Sequence, residues 1–107
     1  MQQFLACRIS WEVLEMKTCD VCGLDFEIIE HTPNNLGTIG IANIKFEQNL
    51  ITIDSTLPEK MKESCLIHEW IHGVLDMNGF HDQDENMVSA LQNELYRAGF
   101  RVPTKEA

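Results

Sequence analysis

The chain has 107 residues, enough for one small domain and too few for a second core. Hydrophobic residues make up 44% of it, which excludes wholesale disorder, and no run approaches the ~18 consecutive apolar residues of a membrane span. With 17 acidic against 8 basic side chains the net charge is −9, so most of the surface would repel a phosphate backbone and nucleic-acid binding is disfavoured.

Residues 2–15 place Phe4, Leu5, Ile9, Val13 and Leu14 at roughly helical spacing, which predicts a short amphipathic helix. Met16 offers an alternative start, so 1–16 reads as an appendage to a single domain spanning 1–107. Arg8, Glu12 and Glu15 interrupt any apolar core that a signal peptide would need, and a cytoplasmic location is expected. In a reducing cytoplasm the four cysteines, Cys7, Cys19, Cys22 and Cys65, are not expected to form disulfides. Cys19-Asp20-Val21-Cys22 is a C-x-x-C, but a structural zinc needs two more ligands and no second C-x-x-C supplies them. These thiols are expected to be unmetallated, one or both in a strand.

Alternation over residues 22–29 predicts a first strand, and Thr32-Pro33-Asn34-Asn35 has the chemistry of a turn. Residues 36–42, with Gly37 and Gly40, and residues 44–46 read as one bulged strand or two short ones. Gln48 and Asn49 then turn the chain into Leu50-Ile51-Thr52-Ile53-Asp54, the clearest strand in the sequence.

From there the apolar period changes. Thr56-Leu57-Pro58-Glu59 fits a capping box, with Thr56 as N-cap and Glu59 at N3. The helix it opens should run to about Asn78, with Gly79 as its left-handed terminator. Asp82, Asp84 and Glu85 place acids at the amino end of a second helix, where the helix dipole favours them. Met87, Val88, Leu91, Leu95 and Ala98 form its apolar stripe and Gly99 ends it, leaving 103–107 as a flexible polar tail. Strands gathered before helices predict an α+β fold. A small antiparallel sheet of about three strands would pack against the first helix and a second antiparallel helix.

The chemistry concentrates in the first helix, at His68-Glu69-Trp70-Ile71-His72. Four residues of helix advance about 400°, so two imidazoles at that spacing leave one face roughly 6 Å apart and can grip a single Zn²⁺. Glu69, about 100° round the helix, can reach a water on that ion. Cys65, Leu66, Ile67, Trp70, Ile71, Val74 and Leu75 make the flanks apolar, so these polar groups need partners that offset their desolvation. Histidines hydrogen-bonded to carbonyls, with Glu69 at the surface, are the plainer alternative.

A catalytic zinc needs a third protein ligand and an open position. Asp76, His81, Asp82, Asp84, Glu85 and Glu94 lie downstream. The metzincin spacing fails, because Leu75 and Asn78 stand where it needs Gly and His. His81 reads better as a solvated loop histidine. Glu85 and Glu94 both flank the apolar stripe of the second helix, and its antiparallel return brings Glu85 near His72 and carries Glu94 away. Glu85 is therefore favoured, with His81 and Glu94 remaining open. Asp76 and Ser89 are expected as acceptors behind the imidazoles, and Tyr96 as a core residue sooner than an oxyanion donor.

Taken together, the strand at 50–54, Pro58-Glu59-Lys60, the segment from Ser64 to His72, and Glu85-x-x-Val88-x-x-Leu91 resemble the small zinc metallopeptidases of the ImmA/IrrE type, associated with phages and mobile elements. The resemblance covers roughly residues 22–100. It implies a gluzincin site with His68, His72 and Glu85 as zinc ligands and Glu69 as general base. An endopeptidase acting on a protein or peptide substrate, such as a repressor-like cytoplasmic regulator, would follow. The alternative is a zinc-binding protein-interaction domain without catalysis. Ser89 stands where many gluzincins carry an acid.

Overall fold

The computed structural model describes residues 17–32 and 42–106. The helix expected over 2–15, the turn expected at 32–35 and the strand expected over 36–42 fall wholly or largely outside that range. The sheet has five strands: β1 (Lys17–Val21), β2 (Leu24–His31), β3 (Ala42–Lys45), β4 (Leu50–Asp54) and β5 (Thr104–Glu106), in the spatial order β3-β4-β2-β1-β5. Among the described residues two α-helices, α1 (Glu59–Met77) and α2 (Glu85–Arg97), and a 3-10 turn at Phe46–Gln48 accompany the sheet.

The fold is α+β, but the sheet departs from the expected three antiparallel strands in number and in direction. β1 is an additional strand, paired antiparallel to β2 through a two-residue turn at Cys22 and Gly23. Both turn residues have positive φ, 52° and 94°, the type I′ geometry whose twist matches paired strands, and Asp20 Oδ2 accepts a bond from the Gly23 amide at 3.2 Å. β2 and β4 are parallel, Ile28 beside Ile51 and Glu30 beside Ile53, because β3 intervenes in sequence and reverses the chain before β4. Residues 104–106, expected in a free tail, pair instead with β1, Thr104 beside Cys19 and Glu106 beside Lys17. Three exposed polar residues carry no strand pattern. What ties them down is Val102, 7% exposed, which anchors the preceding segment in the core.

One face of the sheet holds Cys19, Val21, Phe26, Ile51 and Ile53, all buried, with Ile28, Ala42 and Ile44 packed beside them. Helix α1 covers this face through Ile67 and Ile71, and α2 adds Val88, fully buried. Fully burying aliphatic and aromatic side chains such as these contributes about 1.5–3 kcal/mol each. Gly73 lets α1 approach the sheet. A Cβ there would stand 2.9 Å from Val21 Cγ1 and 3.3 Å from Ile44 Cδ1, closer than side-chain carbons pack.

The start of α1 corrects the capping-box expectation. Pro58 occupies the N-cap position without a side-chain bond, and Thr56 instead donates its hydroxyl to Asp54 Oδ1 at 2.8 Å, closing the turn after β4. At the other end α1 stops at Met77. Gly79 takes φ 92°, its amide bonds Asp76 O at 3.1 Å, and the Phe80 amide bonds Leu75 O at 2.9 Å, a Schellman pair. Asp84 then caps α2, accepting from the Asn86 amide at 2.9 Å. A seven-residue connection between the helices thus returns α2 across α1 and starts it at Glu85.

Candidate metal centre

His68 and His72 leave α1 one turn apart with their ring centroids 4.8 Å from each other. Glu85, the first residue of α2, faces both. Its Oε1 lies 3.0 Å from His68 Nε2 and its Oε2 lies 2.8 Å from His72 Nε2, while the two Nε2 atoms are 3.2 Å apart. The structure therefore brings together the three residues favoured as ligands. Among the described residues they are also the group of histidine, cysteine and acidic side chains placed to hold an ion.

The donor set fits zinc. Two imidazole nitrogens and one carboxylate are typical zinc ligands, and bonds near 2.05 Å in a tetrahedron put neighbouring donors about 3.3 Å apart. The observed separations of 2.8–3.2 Å are close to that edge. With no hydrogen on either Nε2, a carboxylate and two imine nitrogens present lone pairs to a common point, an arrangement that a cation between them resolves.

Each imidazole is held from behind by a glutamine. Gln92 Oε1 lies 2.8 Å from His68 Nδ1, and the amide nitrogen of Gln92 donates to Ser64 O at 3.0 Å and Ser64 Oγ at 2.8 Å. Gln83 Oε1 contacts His72 Nδ1, and its amide nitrogen donates to His72 O at 3.2 Å. The acceptors expected here, Asp76 and Ser89, do not take this place. Asp76 pairs with His81 Nδ1 at 2.7 Å, and Ser89 lines the cleft beside Gln92. Glutamine was legible in one case: Gln92 is seven residues after Glu85, two helical turns, and so shares its face of α2. Gln83 sits in the connection, where no periodicity marks it.

Glu69 is 7% exposed, yet its side chain lines two cavities, of about 380 and 360 Å³, that both reach Glu85 and Ala42. Burial raises its carboxyl above the ordinary value of 4.5; the imidazoles of His68 and His72 pull it down, and Glu85 adds a smaller upward push. β3 walls the first cavity through Ala42, Asn43 and Ile44. No lysine or arginine lines either one among the described residues.

The remaining candidates stand apart from the three. His81 is largely exposed on the rim of the first cavity, held by Asp76. Glu94 forms an exposed ion pair with Arg97 at 3.3 Å. Tyr96 packs against the core with the Arg101 guanidinium 3.8 Å over its ring. Trp70 donates to Asp20 O at 3.0 Å and stacks obliquely on Phe100. Cys19 is buried in β1, where burial and then Asp20 and Asp25 push its thiol up to about 11, while Cys22 sits in the hairpin turn. Among the described residues neither belongs to a potential metal cluster, and no helix there is long and apolar enough to cross a membrane.

Comparison with protein-family models, with curated proteins and with solved structures found no match.

Proposed function

We propose that this chain is a zinc-dependent endopeptidase of the gluzincin type, similar to the ImmA/IrrE-type metallopeptidases, acting on a regulatory protein in the cytoplasm. The observation that carries this reading is the convergence of His68 Nε2, His72 Nε2 and both Glu85 oxygens on one point, beside a buried glutamate that reaches the same cleft. Zinc held by His68, His72 and Glu85 would supply a Lewis acid and a water acidified toward neutrality.

The chain's own residues supply the rest. One Oε of Glu69 takes the proton from water as its oxygen adds to the scissile carbonyl carbon. The same carboxyl then delivers that proton to the amine nitrogen as the carbon–nitrogen bond breaks. Its burial beside the cleft keeps bulk water from competing for that proton. Among the described residues β3 ends the sheet on the cleft side, so an extended substrate segment can add to it as a further strand. An acidic cleft without lysine or arginine favours a segment carrying positive charge.

The test pairs metal analysis with a Glu69→Gln variant of the full chain, assayed for zinc content and for cleavage of fluorescein-labelled casein. The wild type should carry one zinc and cleave, and the variant should keep the metal and lose about 10²–10⁴-fold of the rate, the usual contribution of a general base. Stoichiometric zinc with no cleavage by the wild type would leave the non-catalytic interaction domain as the better account. Absence of zinc would sink both.

A further inference from the structure

We infer that Gln83 and Gln92 are positioning residues, which fix both imidazoles with hydrogen on Nδ1 and so reserve both Nε2 atoms for the metal. The inference rests on the metal-centre reading above and adds how the site is prepared for its ion. It follows from the hydrogen-bond network by elimination. A backbone carbonyl only accepts, so the amide nitrogen of Gln92 must be the atom facing Ser64 O, and that of Gln83 the atom facing His72 O. The amide oxygens are then the atoms facing His68 Nδ1 and His72 Nδ1. An amide oxygen also only accepts, so Nδ1 carries the hydrogen in each ring. Nε2 of each ring is then the atom whose lone pair is left for a metal ion.

Two features make this more than packing. First, the clamps are neutral. A carboxylate behind each ring would orient it equally well but would add negative charge to a centre that already holds Glu85 and Glu69. Glutamine orients the ring and leaves the ion a stronger electrophile. Second, each clamp crosses between elements. Gln92 ties α2 to Ser64 and His68 on α1, and Gln83 ties the interhelical connection to His72. The same bonds that orient the rings hold Glu85 at its distance from them.

The measurement is the zinc dissociation constant of the full chain, by competition with a chromophoric chelator, for wild type, Gln83→Leu and Gln92→Leu. Each variant should bind zinc about 10- to 100-fold more weakly, as loss of a ring-orienting partner usually does. Nitrogen-15 and proton spectra of the zinc-loaded wild type supply a readout that packing alone would not move and that needs no variant. Both rings should show metal on Nε2 and an exchange-protected hydrogen on Nδ1, with Gln92→Leu losing protection at His68 and Gln83→Leu at His72. Unchanged affinity in both variants, or a wild-type spectrum with hydrogen on Nε2, would overturn the inference while leaving the metal centre intact. A wild type that binds no zinc would overturn both.

Discussion

At the scale of single residues the site is a compromise between burial and charge. Glu69 lies in the apolar face of α1, yet the proposed chemistry needs it ionised. Its folded-state pKa is raised above the ordinary 4.5. In the metal-free protein its contribution to stability is therefore fully present below pH 4.5 and lost as pH rises through the raised folded value. Glu69→Gln removes that loss. Thermal melts of the metal-free variant should exceed those of wild type near pH 7, and the difference should vanish near pH 4. A variant equal to or less stable than wild type across the range would show that the carboxylate is paired and not strained. His68, Glu69 and His72 were legible because their spacing is the signal. Gln83 was not, since it sits outside any periodic element, and Gln92 is marked only by its seven-residue spacing from Glu85, which any surface glutamine on that face would share.

Among elements, α1 carries most of the candidate site, and its depth against the sheet is set by Gly73, next to His72. A methyl group there meets Val21 at 2.9 Å and Ile44 at 3.3 Å, so Gly73→Ala should push α1 away from β1 and β3. The expected cost is about 1–3 kcal/mol of stability, read as a lower midpoint in urea, together with weaker zinc binding as His72 shifts. An unchanged midpoint would mean that Val21 rotates aside freely. The helix ends, set by local chemistry, were legible: Gly79 and Gly99 end α1 and α2, whereas α2 opens at Glu85 behind an Asp84 cap, three residues after the expected start at Asp82. The start of α1 was not, because Thr56 is drawn back to Asp54 and leaves the N-cap to Pro58. A sequence window holds both partners but not the choice between them.

For the whole molecule, the parts that sequence could not give are the non-local ones. The parallel pairing of β2 with β4 joins residues more than twenty positions apart, and β5 reaches β1 from the opposite end of the chain. Neither leaves a periodic trace, whereas the inward direction of Phe26, Ile51 and Ile53 follows from alternation along β2 and β4, even though Thr52 and Asp54 on the other face of β4 are buried as well. Among the described residues β3 lies at the edge of the sheet, beside the cleft where α1 and α2 bring their polar residues together. The net charge of −9 and a cleft without lysine or arginine among the described residues support the proposed preference for a positively charged segment.

The central claim is that one divalent ion sits between α1 and α2. The most direct measurement is anomalous scattering at the zinc edge from crystals of the zinc-loaded full chain. The account predicts a single strong peak at full occupancy within about 2.0–2.2 Å of His68 Nε2, His72 Nε2 and a Glu85 oxygen, with a position left open toward Glu69. A peak held by His81, Asp76 or the thiols of Cys19 and Cys22, or no peak at all, would contradict it.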